Sequence, residues 1–253
     1  MGILNRIVQS TAPWMPKIVI GRIASVYVAG DKLEDGIDLV RKLNKKGFVG
    51  TLDLLGEEVK NRRGITKTTN SYCDLIDGIA NSGVNCNISL KLTAIGLKVD
   101  ESLCWDNLSV ILDKAKMYNT FVRMDMEDSE VTESTIKMCK KAVNYYPNCG
   151  TVLQAYMYRT SDDIDLLKGP NTNIRLCKGA YKESKDIAIQ DYNKIRENYV
   201  ECAEKMIKNN VYSCFATHDT WIIERIEKLI EKNNFPKNNC EFQALSGVPI
   251  DKT

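Results

Sequence analysis

TVLQAYMYRTSDDIDLLKGPNTNIRLCKGA, residues 151–180, carries the reading on which the fold turns. TVLQAY (151–156) is a short, β-prone apolar run with polar Gln154 near its end. Thr160 and Asp163 stand at capping-box spacing ahead of Ile164, Leu166 and Leu167, so a helix is expected to start there. NIRLCKG (173–179) is a second β-prone run. Neither join has a hairpin signal, so the two strands are expected to be parallel and linked by a crossover helix.

The same alternation runs in both directions. Five further runs match the pattern: FVGTLDL (48–54), NISLKL (87–92), FVRMDM (121–126), YSCFATH (212–218) and CEFQAL (240–245). Helical spacing fills the intervals. Leu39, Leu43 and Lys46 precede Gly47 as a C-terminal stop, and Tyr72, Leu75, Ile76 and Ile79 lead to Gly83. Tyr192, Ile195, Tyr199, Cys202 and Met206 form one buried stripe, and Ile222, Ile226, Leu229 and Ile230 another. Seven strands in such regular alternation, with no linker or low-complexity segment, describe one domain over residues 1–253.

An open dinucleotide-binding sheet would want G-x-G-x-x-G after its first strand, and the sequence has none. A (βα)8 TIM-type barrel makes a different demand: functional polar residues should cluster at the C-terminal ends of its strands. Asp53, Lys91, Asp125, Gln154, Arg175 with Lys178, Thr217 with His218, and Gln243 occupy those positions on seven successive strands. One such residue is an ordinary strand cap; the coincidence of all of them points to a barrel mouth.

Composition narrows the functions. The 253 residues carry a net charge of +2 with lysines scattered along helical segments, which excludes a nucleic-acid footprint. Nine cysteines, an odd number without C-x-x-C, read as reduced, buried thiols of a cytoplasmic protein. One histidine, His218, gives no metal-ligand trio and no triad. A lysine on one strand beside an aspartate on the next suits a zwitterionic small molecule, or else a structural ion pair. Arg175 and Lys178 beside Gly179 suit an anionic cofactor such as a phosphate. Lys91 or Lys178 as a Schiff-base lysine remains open on chemistry alone. His218 reads either as a site residue or as a histidine satisfied by Asp219 or by backbone. Residues 1–30 form a leading segment, with an amphipathic helix expected over 17–28 that packs on the domain or touches a membrane surface.

Taken in order, YVAGDKLEDGIDLVRKLNKKGFVGTLDLLGEEV, ISLKLTAIGL, VRMDMEDS, VLQAYMYRTSDDIDLL, NIRLCKGAYKE, ATHD and EFQALSG resemble the proline dehydrogenases, most nearly the short monofunctional bacterial branch. The resemblance covers nearly the whole chain from about residue 27. It implies a distorted (βα)8 barrel with FAD in its mouth, oxidising L-proline to 1-pyrroline-5-carboxylate and passing electrons to a membrane quinone. Lys91 and Asp125 would face the substrate, and Asp125 the flavin as well. Gln154 would bond the isoalloxazine ring. Arg175, Cys177, Lys178, Gly179 and Ala180 would wrap the flavin and its pyrophosphate, and Tyr181 and Leu245 would touch the substrate ring. Ala216, Thr217 and His218 would contact the adenylate and diphosphate side, and Gln243 the adenine or ribitol side.

The resemblance also implies an eighth strand and a closing helix with an arginine pair for the substrate carboxylate. The sequence ends eight residues after Leu245. A C-terminally incomplete barrel with weak or no proline turnover is therefore expected, with a non-catalytic flavin-binding remnant as the alternative.

Overall fold

A computed structural model describes residues 28–248. The leading helix expected over 17–28 and the segments expected beyond Val248 lie outside the described residues. In chain order the elements are α1 (Leu33–Asn44), β1 (Gly50–Asp53), α2 (Arg62–Ser82), β2 (Cys86–Leu90), α3 (Glu101–Met117), β3 (Val122–Met124), α4 (Ser129–Val143), β4 (Cys149–Gln154), α5 (Thr160–Leu167), β5 (Asn173–Cys177), α6 (Tyr192–Lys208), β6 (Tyr212–Ala216), α7 (Thr220–Lys232) and β7 (Cys240–Gln243). Short 3-10 turns follow Lys91 and precede β7.

Every expected strand forms, and the sheet order is β1 through β7 with all neighbours parallel. The sheet is curled. Arg175 on β5 reaches Ser89 on β2 at 3.4 Å, and Arg123 on β3 reaches Cys214 on β6 at 3.2 Å. In a flat sheet those strands would stand about 14 Å apart, three ladder spacings. Curling brings their concave-side side chains together.

Alternation along each strand separates two environments. Ile88, Leu90, Val122, Met124, Leu153, Ile174, Leu176 and Phe215 face the helices and are all but fully buried. They pack with Leu75, Ile76 and Ile79 of α2, Ile111 and Leu112 of α3, Met206 of α6 and Ile226 of α7 in one core. The concave side is polar, carrying Asp53, Ser89, Arg123, Asp125, Gln154 and Arg175. Within it Arg123 donates to the carbonyls of Thr151 and Asn173, both at 3.1 Å, tying β3 to β4 and β5.

The helix stripes follow the periodicity with four corrections, the first being that Leu229 of α7 is only half-buried beside buried Ile222, Ile226 and Ile230. α1 ends at Asn44 and the chain turns at Gly47 (φ +86°), but its buried face is Gly36, Ile37 and Val40, while Leu39 and Leu43 are half-buried. α6 buries Tyr199, Cys202 and Met206, whereas Tyr192 and Ile195 in its first turns are half-buried. The capping box at Thr160 and Asp163 does not form: the Thr160 hydroxyl donates to the Gln154 carbonyl, and Asp163 takes a two-pronged bond from Arg159 at 2.8 and 2.9 Å. A guanidinium fork is a stronger partner for a carboxylate than a backbone N–H. Elsewhere the caps are regular: Asn61 accepts from Gly64 N at 2.8 Å, and Gly83 closes α2 at φ +65°.

Candidate functional site

Because all strands run the same way, their C-terminal ends share one rim, and the polar residues there meet. Lys91 Nζ lies 2.9 Å from Asp53 Oδ2 and 3.6 Å from Asp125 Oδ2. Asp125 Oδ1 accepts from Ser89 Oγ and, at 3.3 Å, from Arg175 Nη1. Arg175 Nε donates to Gln243 Oε1 at 2.6 Å. One chain of contacts thus crosses the mouth from β1 to β7. Burial draws the Lys91 ammonium down, but Asp53 and Asp125 more than offset it, and its pKa ends above the ordinary lysine value. Burial, with Asp125 adding to it, raises Asp53 against the pull of Lys91. A Schiff-base role needs a neutral amine, so Lys91, held charged between two carboxylates, is unsuited to it.

A second cluster joins the ends of β5 and β6. Asp219 receives Lys178 Nζ at 2.6 Å, Arg196 Nη2 at 2.8 Å and the Tyr192 hydroxyl at 2.9 Å. Burial opposes its ionisation, yet these partners together bring it down to about 2. Two cations share one carboxylate, so the cluster carries net positive charge. Arg196 Nε is buried with no hydrogen-bond partner, and its guanidinium lies 4.6 Å from the Trp221 ring centroid.

The chain between β5 and α6 passes over β4. Gly179 sits at φ +120°, and a Cβ there would fall 2.2 Å from the Tyr156 ring, so only glycine fits. Ala180 N donates to Gln154 Oε1 at 3.3 Å, while Gln154 Nε2 donates to the Glu127 carbonyl at 2.9 Å. Glu127, 2% exposed and raised by burial, accepts from Thr93 N at 3.1 Å. The Tyr181 hydroxyl donates to Glu57 at 2.8 Å. Cys177 is a neutral thiol, pushed up to about 12 by burial. All nine cysteines are free.

His218 Nε2 accepts from Leu245 N at 3.0 Å, joining the ends of β6 and β7. Thr217 Oγ1 accepts from Asp219 N at 3.1 Å, and Ala216 pairs with Gln243 in the ladder. Leu245 is exposed (64%). Asp53, Lys91, Asp125, Arg175 and Gln243 thus gather in one network, with Lys178, Thr217 and Asp219 in the neighbouring one. Sequence reasoning missed Ser89, Tyr72, Glu57, Glu127, Arg196 and Asp219 as site residues. Ser89 was within reach, since it lies two residues before Lys91 on the same strand face.

Asp219 gives a pH prediction. Its depressed pKa means that its stabilisation is complete above the unfolded value near 4 and is lost as pH falls through about 2. D219N is expected to cost about 2 kcal/mol or more at neutral pH. Urea melts at stepped pH should show the gap between wild type and variant closing below about pH 3. A gap that stays constant down to that pH would contradict the assignment.

The family model described as proline dehydrogenase matches residues 37–249. "Proline dehydrogenase 2" of Bacillus subtilis subsp. natto is 34% identical over 247 residues, covering 98% of this chain and 79% of the relative. "Proline dehydrogenase" of Deinococcus radiodurans is 33% identical over 234 residues, covering 90% and 76%. The crystal structure of proline utilization A (PutA) from Bdellovibrio bacteriovorus inactivated by N-propargylglycine superposes with a TM-score of 0.85 over 92% of this chain and 29% of that one. At 22% identity that likeness speaks for the fold. A curled parallel sheet with its charges at one rim, matched along nearly its whole length by such relatives, leaves one conclusion: the chain belongs to the proline dehydrogenase family.

Proposed function

We propose that the chain oxidises L-proline to 1-pyrroline-5-carboxylate with FAD, the electrons passing on to a quinone. The observation that carries this reading is the contact between Lys91 and Asp125. At 3.6 Å it is the loosest link of the network, and each partner has its own anchor: Asp53 holds Lys91, while Ser89 and Arg175 hold Asp125. A zwitterion can enter there, its carboxylate on Lys91 and its ring nitrogen toward Asp125, without dismantling either side.

The chain's own groups suit FAD. The net positive Lys178–Arg196–Asp219 cluster with its unpartnered Arg196 Nε matches a pyrophosphate, and the tight Gly179 backbone allows close approach. Lys178, Gly179, Ala180, Thr217 and His218 would hold the phosphates and adenylate. Gln154, Arg175, Cys177 and Gln243 would line the ring system, and Tyr181 and Leu245 the substrate ring. FAD supplies the hydride acceptor.

The protein's work is positioning and charge control. Hydride leaves the ring carbon beside nitrogen well only when the amine is neutral, because its lone pair stabilises the developing iminium. Asp53, Asp125, Lys91 and Arg175 sum to zero charge, so the repulsion expected of a lone Lys91 is cancelled. Desolvation in the mouth is what remains to favour the neutral amine. Among the described residues no helix is long and apolar enough to cross a membrane. Reducing a membrane quinone would call for peripheral contact with the membrane surface.

The visible spectrum of the purified chain tests the reading. Flavin bands that bleach on anaerobic addition of L-proline are expected. Bands that persist with proline would leave a flavin binder, and no bound flavin would overturn the proposal.

A further inference from the structure

We propose that Tyr72 is a positioning residue of the substrate site: its phenol fixes Asp53, and through Asp53 it sets where Lys91 stands relative to Asp125. The significance for substrate rests on the function proposed above; the coupling itself rests on the geometry.

Tyr72 lies in the middle of α2 and is fully buried. Its neighbours on the stripe, Leu75, Ile76 and Ile79, are aliphatic, and packing alone would be served equally by phenylalanine. The other hydroxyl on this face, that of Thr69, bonds back to the Ile65 carbonyl of its own helix at 3.0 Å, whereas that of Tyr72 points away from the helix, and a buried hydroxyl needs a partner. Tyr72 Oη donates to Asp53 Oδ1 at 3.1 Å, while Asp53 Oδ2 binds Lys91 at 2.9 Å. Each carboxylate oxygen therefore has one donor, one from the helix shell and one from the rim, and the plane of the carboxylate is fixed.

The charged and titratable groups facing Asp53 are Tyr72 from α2, Lys91 after β2 and Asp125 after β3. Asp53 and Asp125 compete for the same ammonium. With Asp53 ionised and held, Lys91 sits nearer to it than to Asp125. Without the Tyr72 donor the ionised form of Asp53 is less favoured and its carboxylate can turn. Lys91 then closes on Asp125 and fills the gap that a zwitterion would enter.

The test is Tyr72→Phe in the full chain, with Asp53→Asn and the double variant. Carboxyl infrared titration, with Asp53 identified by its loss in D53N, is expected to show Asp53 titrating at higher pH in Y72F. KM for proline is expected to rise about five-fold with kcat within about two-fold, the scale of one hydrogen bond. The acid limb of kcat/KM should move to higher pH, and Y72F should add nothing in the D53N background. An Asp53 titration and a KM that do not move, with only the melting temperature lowered, would reduce Tyr72 to a packing residue and overturn the proposal. If the wild-type chain oxidises no proline, the function proposed above fails, and the infrared arm still decides whether Tyr72 governs Asp53.

Discussion

Lys91→Met is expected to lower kcat/KM for L-proline by two to three orders of magnitude, about 3–4 kcal/mol, the usual cost of removing one member of a desolvated charge pair. Two losses combine. On the proposed function the substrate carboxylate would lose its cation, and Asp53 and Asp125 are left facing each other with nothing between them. Asp53, already raised by burial, would take up a proton, so the site changes charge as well as shape. Lys91→Arg should rescue little, because a planar fork cannot occupy the point between two carboxylates that an ammonium fills. Steady-state assay with a dye acceptor, beside the flavin content of each variant, separates the outcomes. Near-normal turnover in K91M would sink the assignment. Parallel loss of flavin and turnover would make Lys91 a structural residue.

The second large effect concerns the barrel wall. A Cβ on Gly150 would stand 2.3 Å from the Asn173 carbonyl oxygen and 2.9 Å from Arg123 Nη1. The oxygen belongs to the backbone of β5, paired to β4 through Thr151↔Ile174 and its neighbours, so it cannot step aside without opening the ladder. Gly150→Ala is expected to cost roughly 3 kcal/mol or more, which lowers the melting temperature by about 10 °C in a chain of this size. At Gly47, where nothing lies within 4 Å of the added carbon, only the left-handed backbone penalty applies, roughly 1–2 kcal/mol. Thermal melts of the two variants side by side check the ranking; equal melting temperatures would refute it.

The strands were legible because each is a short β-prone run between turn signals, and a sheet covered by helices needs just such runs. The rim was legible because parallel strands put their C-terminal ends on one side, so position along the chain became position in space. Lys91, Asp125, Arg175 and Gln243 gathered for that reason. Beyond the pairing of Lys91 with Asp125 on the next strand, most partnerships were not legible. Asp219 lies past its strand and Glu57 in a loop, while Arg196, four residues after Tyr192 and three before Tyr199, shares a helix stripe that was read only for burial. Tyr72 looked like one more member of an apolar stripe, since a stripe records burial and says nothing of where a hydroxyl points. Thr160 and Asp163 had the right spacing for a cap, but the box lost to a guanidinium that spacing could not see. α3 and α4 were implied by the alternation alone.

The separation of a polar lining from an apolar jacket divides the molecule's labour. Cohesion comes from the seam between strands and helices, where Leu90, Met124, Leu176 and Phe215 meet α2, α3, α6 and α7. On the proposed function, recognition would come from the tips inside. A lineage of such chains is free to trade rim residues one at a time and explore new small molecules while its shape persists. Tyr72, which reaches across the boundary from α2 to Asp53, is where such drift would first meet resistance.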